Sequence, residues 1–258
     1  MTRCGVNSPL NRYVLAGAFV FTLCSPAAVW AHDSGKKLKA DPFVFLAKAN
    51  DPNQCGNPYP RGANIVTSAW LGGMGLPDDG TLNSQNPFPA GAGPSPRDRH
   101  TGLLLNKNGP TPECAAAGAR IKGWKPRNTI SELGFDYRNG GHCGAGAPRF
   151  NIISTAGFTY FAGCSAGTPS PAPQDPEWTR IVINTDAQIF PAGASPTFTL
   201  GVTPIKSISI IYDEGTDTAN NDADGVGLAV IDNINIGGKF IMSGRGIEPE
   251  SDGEGHHH

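Results

Sequence analysis

The stretch Ser207-Ile-Ser-Ile-Ile-Tyr212 shows the pattern from which the fold of this chain is predicted. Ile208, Ile210 and Tyr212 recur at every second position, which is the spacing of a β-strand with one buried face. Residues 133–137 and 180–183 show the same alternation. Because no run of ten residues has the apolar spacing of an amphipathic helix, crossover helices and a parallel sheet are not expected.

Further strands are predicted in segments that Gly, Pro, Asn or Asp bound on both sides. These segments are residues 64–70, 149–154, 157–162, 198–202 and 226–236. A single strand-rich domain of this length needs two sheets to bury its apolar faces, so the expected fold is all-β, an antiparallel β-sandwich with jelly-roll strand order. One short helix is expected to begin at Asp41 and Pro42, since Asp caps helices and Pro suits the first turn.

The composition favours loops and argues against nucleic acid as a partner. The 258 residues include 34 Gly and 23 Pro, and 16% are charged. Turn residues are densest in residues 71–118, where a long Gly/Pro-rich loop region with one short strand at 102–105 is expected. The formal net charge is -2. Without a long basic cluster, the chain lacks the attraction to phosphate that nucleic-acid binding needs.

The first residues predict export. Arg3 and Arg12 precede an apolar run at 13–24, and Val29 and Ala31 place small residues where a signal peptidase cleaves. The run spans about 18 Å as a helix, against a hydrocarbon core of about 30 Å, so a cleaved signal peptide is favoured over an uncleaved anchor. We therefore expect a signal peptide at 1–31, no membrane insertion after cleavage, and a mature protein in the medium, on the cell surface or in the periplasm.

The mature chain is expected to form one sandwich domain, residues 32–245, followed by a solvated acidic and histidine-containing tail at 246–258. Its cysteines are Cys55, Cys114, Cys143 and Cys164. An even number in an exported chain predicts two disulfides, and of the three pairings we favour Cys143 with Cys164, across a hairpin, and Cys55 with Cys114. A zinc site at His142 and Cys143 is the alternative, although it lacks a CxxC spacing.

A cluster of acidic and amide side chains lies before the last long strand candidate. It contains Asp213, Asp217, Asn220, Asp222 and Asp224. The last three alternate and precede a glycine, which matches the first half of a calcium-binding EF-hand loop. The twelfth position is Ile231 instead of Glu, so a shorter calcium loop between two strands is expected, and a solvated hairpin loop is the alternative.

Two catalytic motifs are weighed and not favoured. Residues 163–167 fit the G-x-S-x-G pattern, but the prolines that follow cannot open the helix that this nucleophile motif needs. Glu132 and Asp136 lie on the same face of one strand, about 13 Å apart, whereas glycosidase carboxylates are about 5 to 9.5 Å apart. The sequence therefore contains no recognisable catalytic set.

Candidate ligand-binding residues surround a glycine-rich segment. Trp124 lies between charged residues and is the best candidate for an exposed aromatic ring. Aromatic rings stack on the apolar faces of sugars, and charged or polar side chains bind the hydroxyl groups. We therefore expect Trp124, Arg127, Asp136, Arg138 and His142 to bind a ligand of this kind.

Three segments carry a resemblance to a known group of proteins. They are residues 134–138, 213–217 and 225–238, the last of which reads Gly-Val-Gly-Leu-Ala-Val-Ile-Asp-Asn-Ile-Asn-Ile-Gly-Gly. Together they resemble strands of uncharacterised secreted bacterial β-sandwich proteins of the jelly-roll, carbohydrate-binding-module-like kind. The resemblance implies a jelly-roll fold and, by analogy alone, a sugar-binding role.

These observations favour a secreted, non-catalytic β-sandwich that binds glycans or cell-surface matrix and is stabilised by calcium. A structural or adhesive surface protein that acts through protein contacts is the first alternative. A polysaccharide-active enzyme whose catalytic groups converge only in space is the second. The oligomeric state is left open.

Overall fold

The computed structural model describes residues 37–45, 65–76, 100–108, 115–214 and 227–244. This part of the chain contains thirteen β-strands and no α-helix, which confirms the all-β prediction. None of its helical turns is long and apolar enough to cross a membrane. The predicted signal peptide, Cys55, Cys114, most of the Gly/Pro-rich loop region and the tail lie outside the described residues.

The strands follow the chain in this order: β1 (Lys39–Phe45), β2 (Ile65–Leu71), β3 (Gly102–Asn108), β4 (Ala116–Lys122), β5 (Leu133–Arg138), β6 (Arg149–Ser154), β7 (Thr159–Gly163), β8 (Thr168–Pro171), β9 (Trp178–Ile183), β10 (Phe190–Pro191), β11 (Ile205–Tyr212), β12 (Leu228–Ile236) and β13 (Lys239–Ile241). Two short 3₁₀ turns, Cys164–Ala166 and Asp186–Gln188, complete the regular structure of the described part.

The strands form two antiparallel sheets in jelly-roll order. The six-stranded sheet has the order β1-β4-β11-β6-β7-β10, and the seven-stranded sheet has the order β2-β3-β12-β5-β9-β8, with β13 beside β12. If the edge strands β8 and β10 are left aside, every connection from β3 to β12 crosses from one sheet to the other except the β6–β7 hairpin. This alternation is that of two Greek keys wound into a jelly roll, as the sequence predicts.

The two inner faces meet in one apolar core. Ile208, Ile210 and Tyr212 of β11 are buried, which confirms the alternation in the sequence. Phe150 of the six-stranded sheet lies against Phe135 of the seven-stranded sheet, with ring centroids 5.7 Å apart. Side chains alternate along a regular strand, so the residues between Ile208, Ile210 and Tyr212 of β11 point to the outer face.

Two predictions of local structure are wrong. The expected helix at Asp41 is part of strand β1, because this segment pairs with β4 from Lys39 to Phe45. The expected strand at 198–202 is a turn in which the amide of Thr203 bonds the carbonyl of Thr199. Phe198 is nevertheless fully buried and packs on Tyr160, with ring centroids 5.1 Å apart.

Proline protects most of the sheet edges. The edge strands β1, β8 and β10 carry Pro42, Pro171 and Pro191 respectively. A proline has no amide hydrogen to donate, so another strand pairs poorly at these positions. The edge strand β10 is only two residues long, which limits pairing further.

Substitution of two adjacent isoleucines in β6 tests the assignment of inner and outer faces. Ile152 is fully buried between the sheets, whereas Ile153 lies on the outer face and is half-buried. We expect Ile152→Ala to lower the free energy of unfolding by about 2 to 5 kcal/mol. Ile153→Ala, the matched control, should lower it by about 1 kcal/mol or less, since it leaves no cavity in the core. Urea denaturation measures both, and equal losses would contradict the assignment.

Candidate functional site

The loop between β5 and β6, residues 139–148, is fixed at one end of the sandwich. Cys143 forms a disulfide with Cys164, with Cα atoms 5.2 Å apart, which confirms one of the two predicted pairs. The carbonyl of Gly144 also accepts a hydrogen bond from the amide of Ser165. A disulfide that closes a loop of this length stabilises the fold by about 3 kcal/mol. Since Cys143 is oxidised, it does not serve as the zinc ligand of the alternative prediction.

Three basic side chains converge on Asp213 and Glu214, where β11 ends. The guanidinium of Arg149 donates to both carboxylate oxygens of Asp213, at 2.5 Å from Nη1 to Oδ1 and 2.6 Å from Nη2 to Oδ2. Nε2 of His142 lies 2.7 Å from Oε2 of Glu214. Nζ of the buried Lys107 donates to the backbone carbonyl of Asp213 at 2.7 Å. Lys107, His142 and Arg149, from three separate parts of the chain, thus hold the end of β11 at Asp213 and Glu214.

Glycine is required where the loop passes the Glu214 carboxylate. A Cβ atom on Gly144 would lie 2.6 Å from Oε2 of Glu214 and 2.7 Å from Nε2 of His142. Real Cβ atoms do not approach other heavy atoms so closely, because these distances are well inside van der Waals contact. The absence of a side chain at Gly144 is therefore what lets His142 and Glu214 meet.

The predicted calcium ligands fall largely outside the described residues. Only Asp213 is described, and both of its carboxylate oxygens are bound by Arg149. Asp217, Asn220, Asp222 and Asp224 lie outside the described ranges. Over the residues that are described, no three His, Cys, Asp or Glu side chains are grouped as metal ligands. Calcium binding by this loop stays a prediction.

A cavity of about 230 Å³ opens on the outer face of the seven-stranded sheet, beside the β5–β6 loop. It is lined by Met74, Arg138, Asn139, Gly140, Gly141, Leu228 and Val230. Within the described chain the exposed guanidinium of Arg138 has no hydrogen-bond partner. The cavity therefore combines an apolar wall with one unpaired positive charge.

Hydrogen bonds hold the polar wall of this cavity in place. Asn139 donates from Nδ2 to the carbonyl of Pro176 at 3.0 Å, and its Oδ1 accepts from the hydroxyl of Thr179 at 2.7 Å. The amide of His142 donates to the carbonyl of Leu228 at 2.9 Å. The loop is thus joined to β9 and the residues before it through Asn139, and to the start of β12 through His142.

Asp136, another predicted ligand-binding residue, lies fully buried on the same outer face as Arg138. Its Oδ1 and Oδ2 accept from Nε and Nη2 of Arg180, both at 2.8 Å, and Oδ2 also accepts from Nδ2 of Asn233 at 2.7 Å. Breaking a buried ion pair of this kind costs about 3 to 5 kcal/mol. In this structure the carboxylate of Asp136 is engaged with Arg180 and supports the sheet beneath the cavity.

Trp124 and Arg127 lie at the opposite end of the sandwich. The indole Nε1 of Trp124 and the amide of Arg127 donate to the same carbonyl, that of Ile205, at 3.3 and 2.9 Å. The Trp124 ring also packs against the core. The whole of β5 separates these residues from Arg138 and His142, a distance of about 20 Å for six extended residues. The structure therefore brings Asp136, Arg138 and His142 to one end and leaves Trp124 and Arg127 at the other.

Sequence reasoning missed Lys107, Arg149 and Glu214 at this end. The sequence pattern could have identified Lys107, because this residue continues the alternation of the inward-facing Leu103 and Leu105. In the structure it is fully buried. A lysine at an apolar position of a strand indicates a specific polar partner in the fold. Arg149 and Glu214 carried no comparable signal, since their partners lie 64 and 72 residues away in the sequence.

Comparison with known proteins finds no match for this chain among protein-family models, curated proteins or solved structures. The resemblance to secreted bacterial β-sandwich proteins stays a prediction, and the functional argument below rests on the geometry described above.

Replacement of Arg149 by lysine tests the role of its ion pair. Lysine keeps the charge but cannot bind both carboxylate oxygens of Asp213 in the same planar fork. We expect Arg149→Lys to lower the free energy of unfolding by about 1 to 3 kcal/mol in urea denaturation. Arg120→Lys is the matched control, because Arg120 is exposed on the same sheet and forms no ion pair within the described chain. An unchanged stability of Arg149→Lys would show that the ion pair does not stabilise the loop.

Proposed function

We propose that this protein is a non-catalytic glycan-binding β-sandwich that recognises an acidic sugar in the Arg138 cavity. The observation that carries the proposal is the guanidinium of Arg138, unpaired within the described chain, beside an apolar wall at the end of β5, where a loop held by a disulfide begins. Binding sites for small ligands typically combine apolar walls with a few oriented polar groups. The cavity has this composition.

The chemistry of the cavity suits one acidic sugar ring. Met74, Leu228 and Val230 offer apolar surface to the C–H face of a pyranose. The guanidinium of Arg138 can bind a carboxylate through two parallel hydrogen bonds, which a neutral hydroxyl does not match. None of the described residues that line the cavity is acidic, which favours an anionic ligand over a cationic one. A uronic acid is therefore the favoured sugar class.

The size of the cavity sets the expected ligand and affinity. Its volume of about 230 Å³ is below the roughly 300 to 1,000 Å³ of sites for drug-sized ligands, so it suits one ring of a longer chain. A single ring with one charged contact should bind in the millimolar range, about 4 kcal/mol of binding free energy. The fixed loop lowers the entropy cost of binding, because its backbone is already ordered.

The carboxylates of Asp136 and Glu132 are bound to other side chains, which favours binding without catalysis. Asp136 is buried and bound to Arg180, while Glu132 accepts a hydrogen bond from Nδ2 of Asn235 at 2.8 Å. These two carboxylates face different partners and do not converge on the cavity. A polysaccharide-active enzyme and an adhesive protein that acts through protein contacts remain the alternatives to this proposal.

Calcium and export belong to the proposal as predictions from the sequence. The predicted calcium loop connects Glu214 to Gly227, and the next residue, Leu228, lines the cavity. A calcium ion in that loop would order the chain that enters this wall. We therefore propose that calcium strengthens sugar binding, and a chelator should weaken it.

Replacement of Arg138 tests the proposed site. We expect Arg138→Ala to lower the affinity for free glucuronate or galacturonate about tenfold or more in calorimetric or NMR titration, because the charge-assisted hydrogen bonds are lost. Neutral glucose should bind weakly to the parent protein and to the variant alike. Arg127→Ala is the matched control, since Arg127 is also an exposed arginine but lies at the other end of the sandwich.

Two outcomes would contradict the proposal. The first is an unchanged affinity of Arg138→Ala for the uronic acids. The second is a loss of affinity in Arg127→Ala alone, which would show that the ligand binds at the end of the sandwich that contains Trp124. Release of reducing ends from a polysaccharide, lost in Asp136→Ala, would favour the enzyme instead.

A further inference from the structure

The outer face of the six-stranded sheet carries a straight row of side chains that crosses all six strands. The pairing register aligns Asp41 with Arg120, Arg120 with Ser209, Ser209 with Asn151, Asn151 with Phe161, and Phe161 with Phe190. Directly opposed residues of antiparallel strands project to the same face. We call these six residues the outer row.

The outer row is open to solvent. Arg120 and Phe190 are exposed, the latter by 53%, and the other four members are half-buried. By contrast, the outer face of the seven-stranded sheet is partly covered, because Leu76, Ala172 and Trp178 pack around Val230. An exposed phenylalanine on a sheet face where the described residues form no second apolar cluster is a feature of interaction surfaces.

One end of the outer row is basic. Lys39 and Lys122 are directly opposed on β1 and β4, one step from Arg120 on the same face. Like charges in this arrangement destabilise a sheet. Within the part of the chain that is described, neither lysine nor Arg120 forms an ion pair. These three cations, with only Asp41 among them, therefore present a site for anionic groups.

The other end of the outer row is aromatic, and its side chains are held in position. The guanidinium of Arg149 donates from Nε to Oδ1 of Asn151 at 3.0 Å and lies over the ring of Phe161, 5.2 Å from its centroid. Arg149 itself is fixed by its ion pair with Asp213. Phe161 and Phe190 are thus adjacent phenyl rings with a polar amide beside them.

Next to the middle of the row, the ring of Phe43 covers Gly118, and the guanidinium of Arg120 lies over that ring, 4.4 Å from its centroid. Gly118 lies beside the row, and a Cβ atom there would lie 2.7 Å from the ring of Phe43. Ser207 and Ser209 of β11 place two hydroxyl groups on this face. The row therefore has cations at one end, small polar side chains in its middle and aromatic rings at the other end, with apolar side chains beside it.

The geometry points to an elongated ligand laid across the strands. Six strands at about 4.8 Å spacing make the outer row about 24 Å long. We propose that one chain of an anionic polysaccharide, carrying carboxylate or sulfate groups, binds along the outer row. Its acidic groups contact Arg120, Lys39 and Lys122, and a sugar ring further along the chain stacks on the exposed ring of Phe190.

Nucleic acid fits this face less well. A phosphate backbone carries charge along its whole length, whereas the described cations of this face that form no ion pair lie at one end, and the chain has a net charge of -2. The proposal deepens the glycan-binding function proposed above. Because the cavity and the outer row lie on different sheets, the two sites can be tested separately.

Retention on immobilised polymers tests the proposal with the full mature chain. Polygalacturonate and dextran sulfate are the probes, and unsubstituted dextran is the neutral control in affinity electrophoresis. We expect Phe190→Ala and Arg120→Ser each to weaken retention by the acidic polymers about threefold to tenfold. Phe158→Ala is the matched control for the aromatic variant, since Phe158 is 41% exposed in the β6–β7 turn, off the row. Arg127→Ser is the control for the charge variant.

The outcomes separate this proposal from the Arg138 cavity. Loss of polymer retention in Phe190→Ala and Arg120→Ser, with unchanged affinity for free galacturonate, supports the outer row. Retention equal to that of the parent in both variants would overturn it, even if Arg138→Ala lost its affinity for galacturonate. Equal retention by single-stranded DNA, lost in Arg120→Ser but unaffected in Phe190→Ala, would also overturn it by showing charge attraction alone.

Discussion

Burial of alternate side chains between two sheets is the constraint on which the rest of this structure depends. Once Ile208, Ile210 and Tyr212 fill the inner face of β11, Ser207 and Ser209 must lie on the outer face. The same parity holds along most paired strands, whereas in β12 a register shift between Asp232 and Asn235 changes it, so that Ile231 and Ile234 both face the core. Because the core occupies the interior, polar and charged side chains that bind ligands are restricted to the outer faces and to the loops at the ends of the sandwich.

Arg149 joins the end of β11 to the outer row. It binds Asp213 at the base of the loop that precedes β12, and it also contacts Asn151 and Phe161 of the outer row. A guanidinium has five donors in a rigid plane, so one arginine can hold several neighbours in fixed positions. The end of β11 and the outer row therefore depend on the same side chain.

The sequence predicts this fold better than it predicts these sites. Strands β5, β9 and β11 alternate clearly, whereas β4 was missed because its inward residues Ala117 and Ala119 give little hydrophobic contrast. The Cys143 pairing could be predicted from cysteines that flank two adjacent strands. The outer row could not, because it depends on the register between strands that are distant in sequence. Periodicity identifies alternating positions, but it does not align them with those of another strand.

Recognition of an acidic sugar beside Arg138 is the central claim, and an NMR titration of the isotope-labelled protein with a uronic-acid disaccharide tests it most directly. The account predicts that the largest amide shift changes fall on Gly140, Gly141 and Leu228, which line the cavity. Changes confined to residues 123–127 at the opposite end of the sandwich, or no changes at millimolar disaccharide, would contradict it.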